Sequence, residues 1–131
     1  YPVRVYYEDT DAGGVVYHTA YLRWAERART EFLRLIAGNQ TDIKEKYGLL
    51  IVVRRMVPDY LKPASLDDEL DVVTEFVDLK KASFQVNQHV YRQVDGSDPE
   101  LLCHMHVRLA AIDEAGKPKR VPQPLHEALK R

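Results

Sequence analysis

The sequence has 131 residues, a formal net charge of −1 and one cysteine, Cys103. This length predicts a single domain over residues 1–131, and the near balance of charge argues against a general nucleic-acid-binding protein. A lone cysteine excludes an intrachain disulfide. The longest apolar run, Leu49 to Val53, is far shorter than the roughly 20 residues of a membrane span, and no signal peptide is recognisable. Together these features favour a cytoplasmic location.

In chain order, the first predicted element is a strand over residues 2–6, followed by an acidic, glycine-containing loop over residues 8–14. A long helix is predicted over residues 17–37, ended by Gly38. Its apolar residues recur at spacings of three and four: Ala20, Tyr21, Trp24, Ala25, Ala28, Phe32, Leu35 and Ile36. A short helix over residues 41–47 follows.

The rest of the sequence predicts strands over residues 49–58, 69–78, 83–94 and 101–112. In the last strand, alternation places Cys103, Met105, Val107, Leu109 and Ala111 on one face and His104, His106 and Arg108 on the other. One strand, one long helix and four strands joined by short loops indicate the α+β class, with an antiparallel sheet packed against one main helix.

The segment from Tyr7 to His18 carries the most chemical information. Its Gly13-Gly14 pair allows close approach of a ligand, and the first amides of the long helix are unpaired and partly positive. Such amides stabilise an oxyanion, and a carboxylate just upstream can attack an acyl carbon or take a proton from water. The pattern therefore suits acyl transfer from a thioester, although an acidic loop before a helix is also typical of simple capping.

Other sites fit the sequence less well. A calcium loop starting at Asp9 would need a bidentate glutamate where Ala20 stands. The serines lie outside any Gly-x-Ser-x-Gly motif, and adjacent strand residues Cys103 and His104 face opposite ways. His104 and His106 share a face but lack an evident third ligand, so we expect no metal site. No glycine-rich nucleotide fingerprint is present, and we expect no bound cofactor.

The stretch VRVYYEDTDAGGVVYH, from Val3 to His18, and its continuation through Tyr21, residues 26–29 and Glu31 resemble the YbgC-like acyl-CoA thioesterases of the hotdog-fold 4-hydroxybenzoyl-CoA thioesterase family. The resemblance is dense over the first 35 residues or so and looser through about Ile112. It implies a hotdog fold, in which a curved antiparallel sheet of about five strands wraps around one long helix.

The resemblance also implies roles for three residues. Asp11 is the catalytic carboxylate in the matching motif, as nucleophile or general base, and Tyr7 and His18 accompany it. The amide near His18 is the group that polarises the substrate carbonyl. Two alternatives remain open: Tyr7 packs at the strand end, or His18 contributes only its backbone amide.

Basic residues predict a site for the phosphates of coenzyme A, because lysine and arginine bind phosphate well. Lys80 and Lys81, followed by Ser83, lie at the turn before the fourth strand, where related thioesterases place basic residues. Arg54 belongs to a second basic pair. The alternative is that these side chains belong to a solvated turn.

We expect hydrolysis of short aliphatic or aromatic acyl-CoA. Two alternatives are a non-catalytic hotdog module that binds an acyl group or a protein, and a hotdog dehydratase. The resemblance further suggests a homodimer or homotetramer, acyl carrier protein thioesters as substrates, and a role near the Tol–Pal system. An intact Asp11 favours hydrolysis over a pure binding module.

Overall fold

The computed structural model describes residues 1–130. Its elements are β1 (Pro2–Arg4), a 3₁₀ turn (Tyr7–Asp9), α1 (His18–Ala37), α2 (Gln40–Tyr47), β2 (Leu50–Tyr60), β3 (Glu69–Val77), β4 (Ser83–Arg92), β5 (Glu100–Ile112) and α3 (Gln123–Leu129).

The five strands form one antiparallel sheet in the order β1-β3-β4-β5-β2. β1 and β2 are therefore the edge strands, and β2 is much the longer of the two. The curved sheet packs its inner face against α1, which confirms the predicted α+β class and hotdog arrangement.

The helix α1 presents a mostly apolar face to the sheet, as its periodicity predicts. Trp24 and Ala25 are buried at its centre. Leu35 is an exception to the prediction, since it is 86% exposed and lines an open groove between α1 and β3. Leu33 and Arg29 are buried instead.

The alternation predicted for the last strand, β5, is confirmed, and β4 alternates in the same way. The inner face of β4 buries Phe84, Val86 and Val90, and Gln88 lies among them with no exposed surface. The Gln88 side chain accepts a hydrogen bond from Arg29 (2.9 Å) and donates to the Ala25 carbonyl (2.9 Å) and the Thr74 hydroxyl (3.0 Å). This buried network joins α1 to β3 and β4.

Several boundaries differ from those predicted. β1 stops at Arg4 because the Tyr6 amide bonds the Asp9 carboxylate and starts the 3₁₀ turn. β2 continues past Pro58, which an edge strand tolerates because one side of its ladder is unpaired. The helix α3 was not predicted; it buries Leu125 and Leu129. Within residues 1–130, no helix combines the length and apolarity needed to cross a bilayer.

Candidate active site

Asp11 lies at the first position of a tight turn. Its amide donates to the Val15 carbonyl (2.9 Å), and its own carbonyl accepts from the Gly14 amide (3.1 Å). Gly14 has φ +83°, a left-handed conformation that favours glycine. The turn thus projects the Asp11 side chain into solvent at the start of α1.

The Asp11 carboxylate accepts one hydrogen bond, from the Gly13 amide to Oδ1 at 2.8 Å. A Cβ atom at position 13 would stand 3.2 Å from the same oxygen, so the absence of a side chain there leaves room for the carboxylate. The backbone therefore fixes one carboxylate oxygen and leaves the other open to a ligand.

The turn is anchored on both sides. Thr10 bridges Val16, and the Val16 amide donates to the Ala64 carbonyl at 2.8 Å. Val15 bridges Ser65, in the loop between β2 and β3. These contacts hold Asp11 against the end of the sheet.

Asp9 is the second acid of the motif and has a structural role. It is 7% exposed, and its Oδ2 accepts from the Tyr6 amide at 2.9 Å. Its Oδ1 lies 3.5 Å from the Arg23 guanidinium on α1, and its carbonyl accepts from the Tyr17 amide at 2.8 Å. Asp9 thus ties the 3₁₀ turn to α1, in agreement with a capping role.

The helix α1 begins without a side-chain cap. Tyr17 occupies the N-cap position in an extended conformation and gives no side-chain hydrogen bond. Within the described chain, the amides of His18 and Thr19 donate to no protein acceptor. Unpaired first-turn amides carry the positive end of the helix dipole, so this end of α1 attracts an oxygen that gains negative charge.

The side chain of Tyr7 points away from the protein. It is 81% exposed, and among residues 1–130 its hydroxyl has no hydrogen-bond partner. The backbone carbonyl of Tyr7 accepts from the Thr10 amide (3.0 Å) and hydroxyl (2.8 Å). Among residues 1–130, the hydrogen bonds of Tyr7 are therefore made by its backbone, at the end of the 3₁₀ turn.

The His18 ring packs beside two tyrosines. Its centroid lies 4.4 Å from that of Tyr17 and 6.3 Å from that of Tyr60. The Tyr60 hydroxyl donates to the His18 carbonyl at 3.0 Å. Sequence reasoning missed Tyr60, because 42 residues separate it from His18 and only the fold brings them together.

Two of the predicted phosphate-binding residues reach the same part of the outer sheet face, the face turned away from α1. The Lys80 Nζ lies 4.0 Å from Asp78, which also binds Arg108. The hydrogen bond from Arg108 lowers the pKa of the Asp78 carboxyl. Arg108 and Arg54 line one open cleft, and Arg54 stands at a β-bulge in β2.

Lys81 and Ser83 lie close to a basic segment that sequence reasoning did not connect with them. The Lys81 carbonyl accepts from the Val121 amide at 2.7 Å, which places the residues before Val121, including Lys119 and Arg120, near the β3–β4 turn. Ser83 opens β4, and its carbonyl accepts from the Lys80 amide at 2.8 Å.

The remaining candidates have ordinary structural contacts. Cys103 is fully buried, and burial raises the pKa of its thiol to about 11, so it is not a nucleophile at neutral pH. His104 lies 3.3 Å from Asp59, and His106 lies 2.9 Å from the Asn87 amide oxygen. Across residues 1–130, no three His, Cys, Asp or Glu side chains are grouped to hold a metal ion.

Comparisons with known structures agree with this architecture. A probable thioesterase from Bartonella henselae superposes with a TM-score of 0.82 at 38% identity, covering 93% of this chain and 97% of that one. A 4-hydroxybenzoyl-CoA thioesterase mutant in complex with 4-hydroxybenzoyl-CoA superposes with a TM-score of 0.90 at 20% identity, covering 98% and 96% of the two chains. The second likeness supports the hotdog fold alone.

Sequence comparisons extend the agreement to most of the chain. The model of the thioesterase-like superfamily matches residues 5–129. The acyl-CoA thioesterase YbgC of Haemophilus influenzae is 44% identical over 124 residues, which span 95% of this chain and 87% of that protein. The chain therefore belongs to the thioesterase-like superfamily and, within it, to the YbgC-like acyl-CoA thioesterases.

Proposed function

We propose that the protein hydrolyses the thioester of short aliphatic or aromatic acyl-CoA, giving the free acid and CoA. The observation that carries this proposal is the solvent-open Asp11 carboxylate, held on a glycine turn beside the uncapped start of α1. A nucleophile or base and a group that accepts developing negative charge are the two requirements of acyl transfer.

In this mechanism the amide at His18 polarises the thioester carbonyl. Asp11 then acts in one of two ways. As nucleophile, it attacks the acyl carbon, expels the CoA thiolate and leaves a mixed anhydride, which water hydrolyses. As general base, it takes a proton from water, whose oxygen attacks the acyl carbon before the C–S bond breaks. Both routes end with a carboxylic acid, free CoA and a regenerated Asp11.

We assign the phosphates of CoA to Lys80, Lys81, Ser83 and Arg54. Support comes from the shared position of Lys80 and Arg54 near Arg108, and from the approach of the Lys119–Arg120 segment to Lys81. Several cations near one anionic group strengthen its binding by charge-assisted hydrogen bonds.

We further propose that two subunits join through their β2 edges and share each active site, with a tetramer as the larger form. β2 is an 11-residue edge strand whose Val52, Val53 and Val57 are substantially exposed. A long apolar edge invites pairing with another strand. Tyr7 and His18 side chains, which have open surroundings in one subunit, would then face the partner.

Acyl carrier protein thioesters, a cytoplasmic location and a role near the Tol–Pal system belong to the same proposal. They rest on the family resemblance of the motif from Val3 to His18. The name of the Haemophilus relative supports acyl-CoA as the substrate class.

The decisive experiment is a thioester panel assayed with a thiol reagent on the wild type and on Asp11→Asn. The variant keeps the shape of the side chain and removes its charge. We expect the fold to persist and kcat to fall by about 10²–10⁴. The matched control is Asp95→Asn, in an exposed turn, which should retain full activity. A kcat above about a tenth of wild type in Asp11→Asn would show that Asp11 is not the catalytic group.

The same assay separates the alternatives. A non-catalytic binding module would retain acyl-CoA without releasing thiol. A dehydratase would remove water from a hydroxyacyl thioester, again without releasing thiol. Thiol release that depends on Asp11 excludes both.

A further inference from the structure

Tyr60 joins the end of β2 to the first turn of α1. It is the last residue of β2, where it pairs with Cys103 of β5. Its hydroxyl donates a 3.0 Å hydrogen bond to the carbonyl of His18, the first residue of the helix. The bond therefore links the edge strand of the sheet directly to the start of the helix.

The phenol ring is held in this orientation by packing. Its centroid lies 5.4 Å from that of Tyr21 at an interplanar angle of 68°, and the ring meets His18 edge-on at 85°. Tyr21 is itself fixed, because its hydroxyl accepts the Ala64 amide at 3.0 Å. A tyrosine hydroxyl is ordinarily protonated at neutral pH, and partial burial raises the pKa of the Tyr60 hydroxyl further.

The hydrogen bond reaches the carbonyl side of one particular peptide group. The His18 carbonyl and the Thr19 amide belong to the same peptide unit. A donor on the carbonyl draws electron density from the nitrogen and makes the N–H a stronger donor, as in any hydrogen-bonded chain. The Thr19 amide is one of the two first-turn amides without a protein acceptor within residues 1–130.

We propose that Tyr60 is a positioning residue for catalysis: its hydroxyl fixes the first turn of α1 against β2 and strengthens the Thr19 amide that, beside the His18 amide, faces the developing oxyanion. This inference rests on the proposed thioester hydrolysis. Tyr60 acts through the peptide unit and needs no contact with substrate.

The test removes only the hydroxyl, in Tyr60→Phe. Removing a whole oxyanion donor costs about 10²–10³ in kcat, and cooperative strengthening amounts to about 10–30% of a hydrogen bond. The expected loss is therefore about two- to eightfold in kcat, with KM for the acyl-CoA unchanged. The matched control is Tyr91→Phe, on the outer sheet face, which should leave both constants unchanged.

A second measurement reports the polarisation without any assay of activity. In protein labelled with ¹³C-carbonyl histidine and ¹⁵N-threonine, Tyr60→Phe should move the His18 carbonyl and Thr19 amide signals, and Tyr91→Phe should not. Incorporation of 3-fluorotyrosine at position 60, assayed at pH 6 so that the hydroxyl stays protonated, should move these signals the opposite way and give a kcat at or above wild type.

The outcomes separate this inference from the function beneath it. Activity that depends on Asp11 but is unchanged in Tyr60→Phe overturns the Tyr60 inference alone. A lower kcat with unmoved His18 and Thr19 signals shows a general packing role and also overturns it. A wild type without thioesterase activity overturns the proposed function and the catalytic role of Tyr60. The His18 carbonyl and Thr19 amide signals then still show whether the Tyr60 hydroxyl polarises this peptide group.

Discussion

At the scale of single residues, the site divides between side chains and backbone. In the proposed reaction Asp11 is the reactive group, whereas the unpaired amides of His18 and Thr19 form the positive end of α1. The Gly13 amide and the left-handed Gly14 are the means by which the turn presents the carboxylate. The proposed chemistry therefore depends largely on the backbone conformation of this turn and of the first helical turn.

Substitutions at His18 and Tyr7 test this division. We expect His18→Ala to lower kcat less than Asp11→Asn does, because its backbone amide remains. Tyr7→Phe should lower kcat moderately only if the Tyr7 hydroxyl contacts substrate or a partner subunit, because this hydroxyl has no hydrogen-bond partner among residues 1–130. Steady-state kinetics on the three variants checks this order. Equal and severe losses in His18→Ala and Tyr7→Phe would mean that their side chains act directly.

At the scale of elements, α1 is fixed to the sheet by a buried charge. Arg29 is 6% exposed, and desolvation lowers the pKa of its guanidinium. Gln88 accepts its hydrogen bond and in turn bonds Ala25 and Thr74. All three hydrogen bonds involve the Gln88 side chain, so replacing Gln88 removes them together.

We expect Gln88→Leu to destabilise the protein by about 2–4 kcal/mol, since it leaves a buried charge without its acceptor. The double variant Gln88→Leu with Arg29→Met should recover most of this loss, because it removes both partners. Urea denaturation at one protein concentration measures the effect. Gln93→Leu, on the surface, is the control and should change stability by less than about 0.5 kcal/mol. Additive losses in the double variant would show that the pair is not coupled.

The turn between β3 and β4 carries the predicted phosphate contacts. Replacing Lys80 and Lys81 together by alanine should raise KM for CoA esters with little change in kcat. Salt screens exposed charges, so the difference from wild type should shrink at high ionic strength. Initial rates at low and high salt measure this. An unchanged KM at low salt would assign both lysines to a solvated turn.

The helices and strands that could be predicted are those with a clear periodic pattern of apolar residues within one segment. The spacing of Ala20, Trp24 and Ala28 predicts α1, and the alternation from Cys103 to Ala111 predicts β5. The helix α3 was missed because its seven residues carry only Leu125 and Leu129 as buried positions, too few for a clear period. The bonds of Gln88 to Arg29 and of Tyr60 to His18 depend on tertiary packing between distant segments, which no local pattern reports.

The candidate site shows the same limit. The motif from Tyr7 to His18 predicts Asp11 and the helix start, because both lie within one short segment. The approach of Val121 to Lys81 and the cleft shared by Arg54 and Arg108 follow from strand order. Strand order is set by long-range contacts, and so these neighbours appear only in the fold.

At the scale of the whole molecule, one helix is too narrow for its sheet. A helix is about 10 Å wide, whereas five strands spaced about 4.8 Å apart span about 19 Å from one edge strand to the other. The helix leaves part of the inner sheet face uncovered at the β2 edge. Val53 lies there opposite the buried Leu109, yet it is 48% exposed. A second subunit joined along β2 would cover this area.

We expect the active unit to be a homodimer or a larger even-numbered oligomer of the 15.1 kDa chain. Val53→Lys should produce inactive monomers, because it places a charge at the seam. Val94→Lys, at an exposed position outside the strands, should leave mass and activity unchanged. Analytical ultracentrifugation at micromolar concentration measures the mass. A wild-type monomer with full specific activity would contradict a shared site.

The Arg29–Gln88 pair also limits how this sequence can drift over evolutionary time. Loss of either residue alone leaves a buried polar group unpaired, so each single step leads to a less fit intermediate. An apolar core at this point is reached only by replacing both residues, and two simultaneous changes are rare. Surface positions such as Leu35 carry no such restriction. The helix–sheet contact at Arg29 and Gln88 should consequently change more slowly, and more abruptly, than the surface around it.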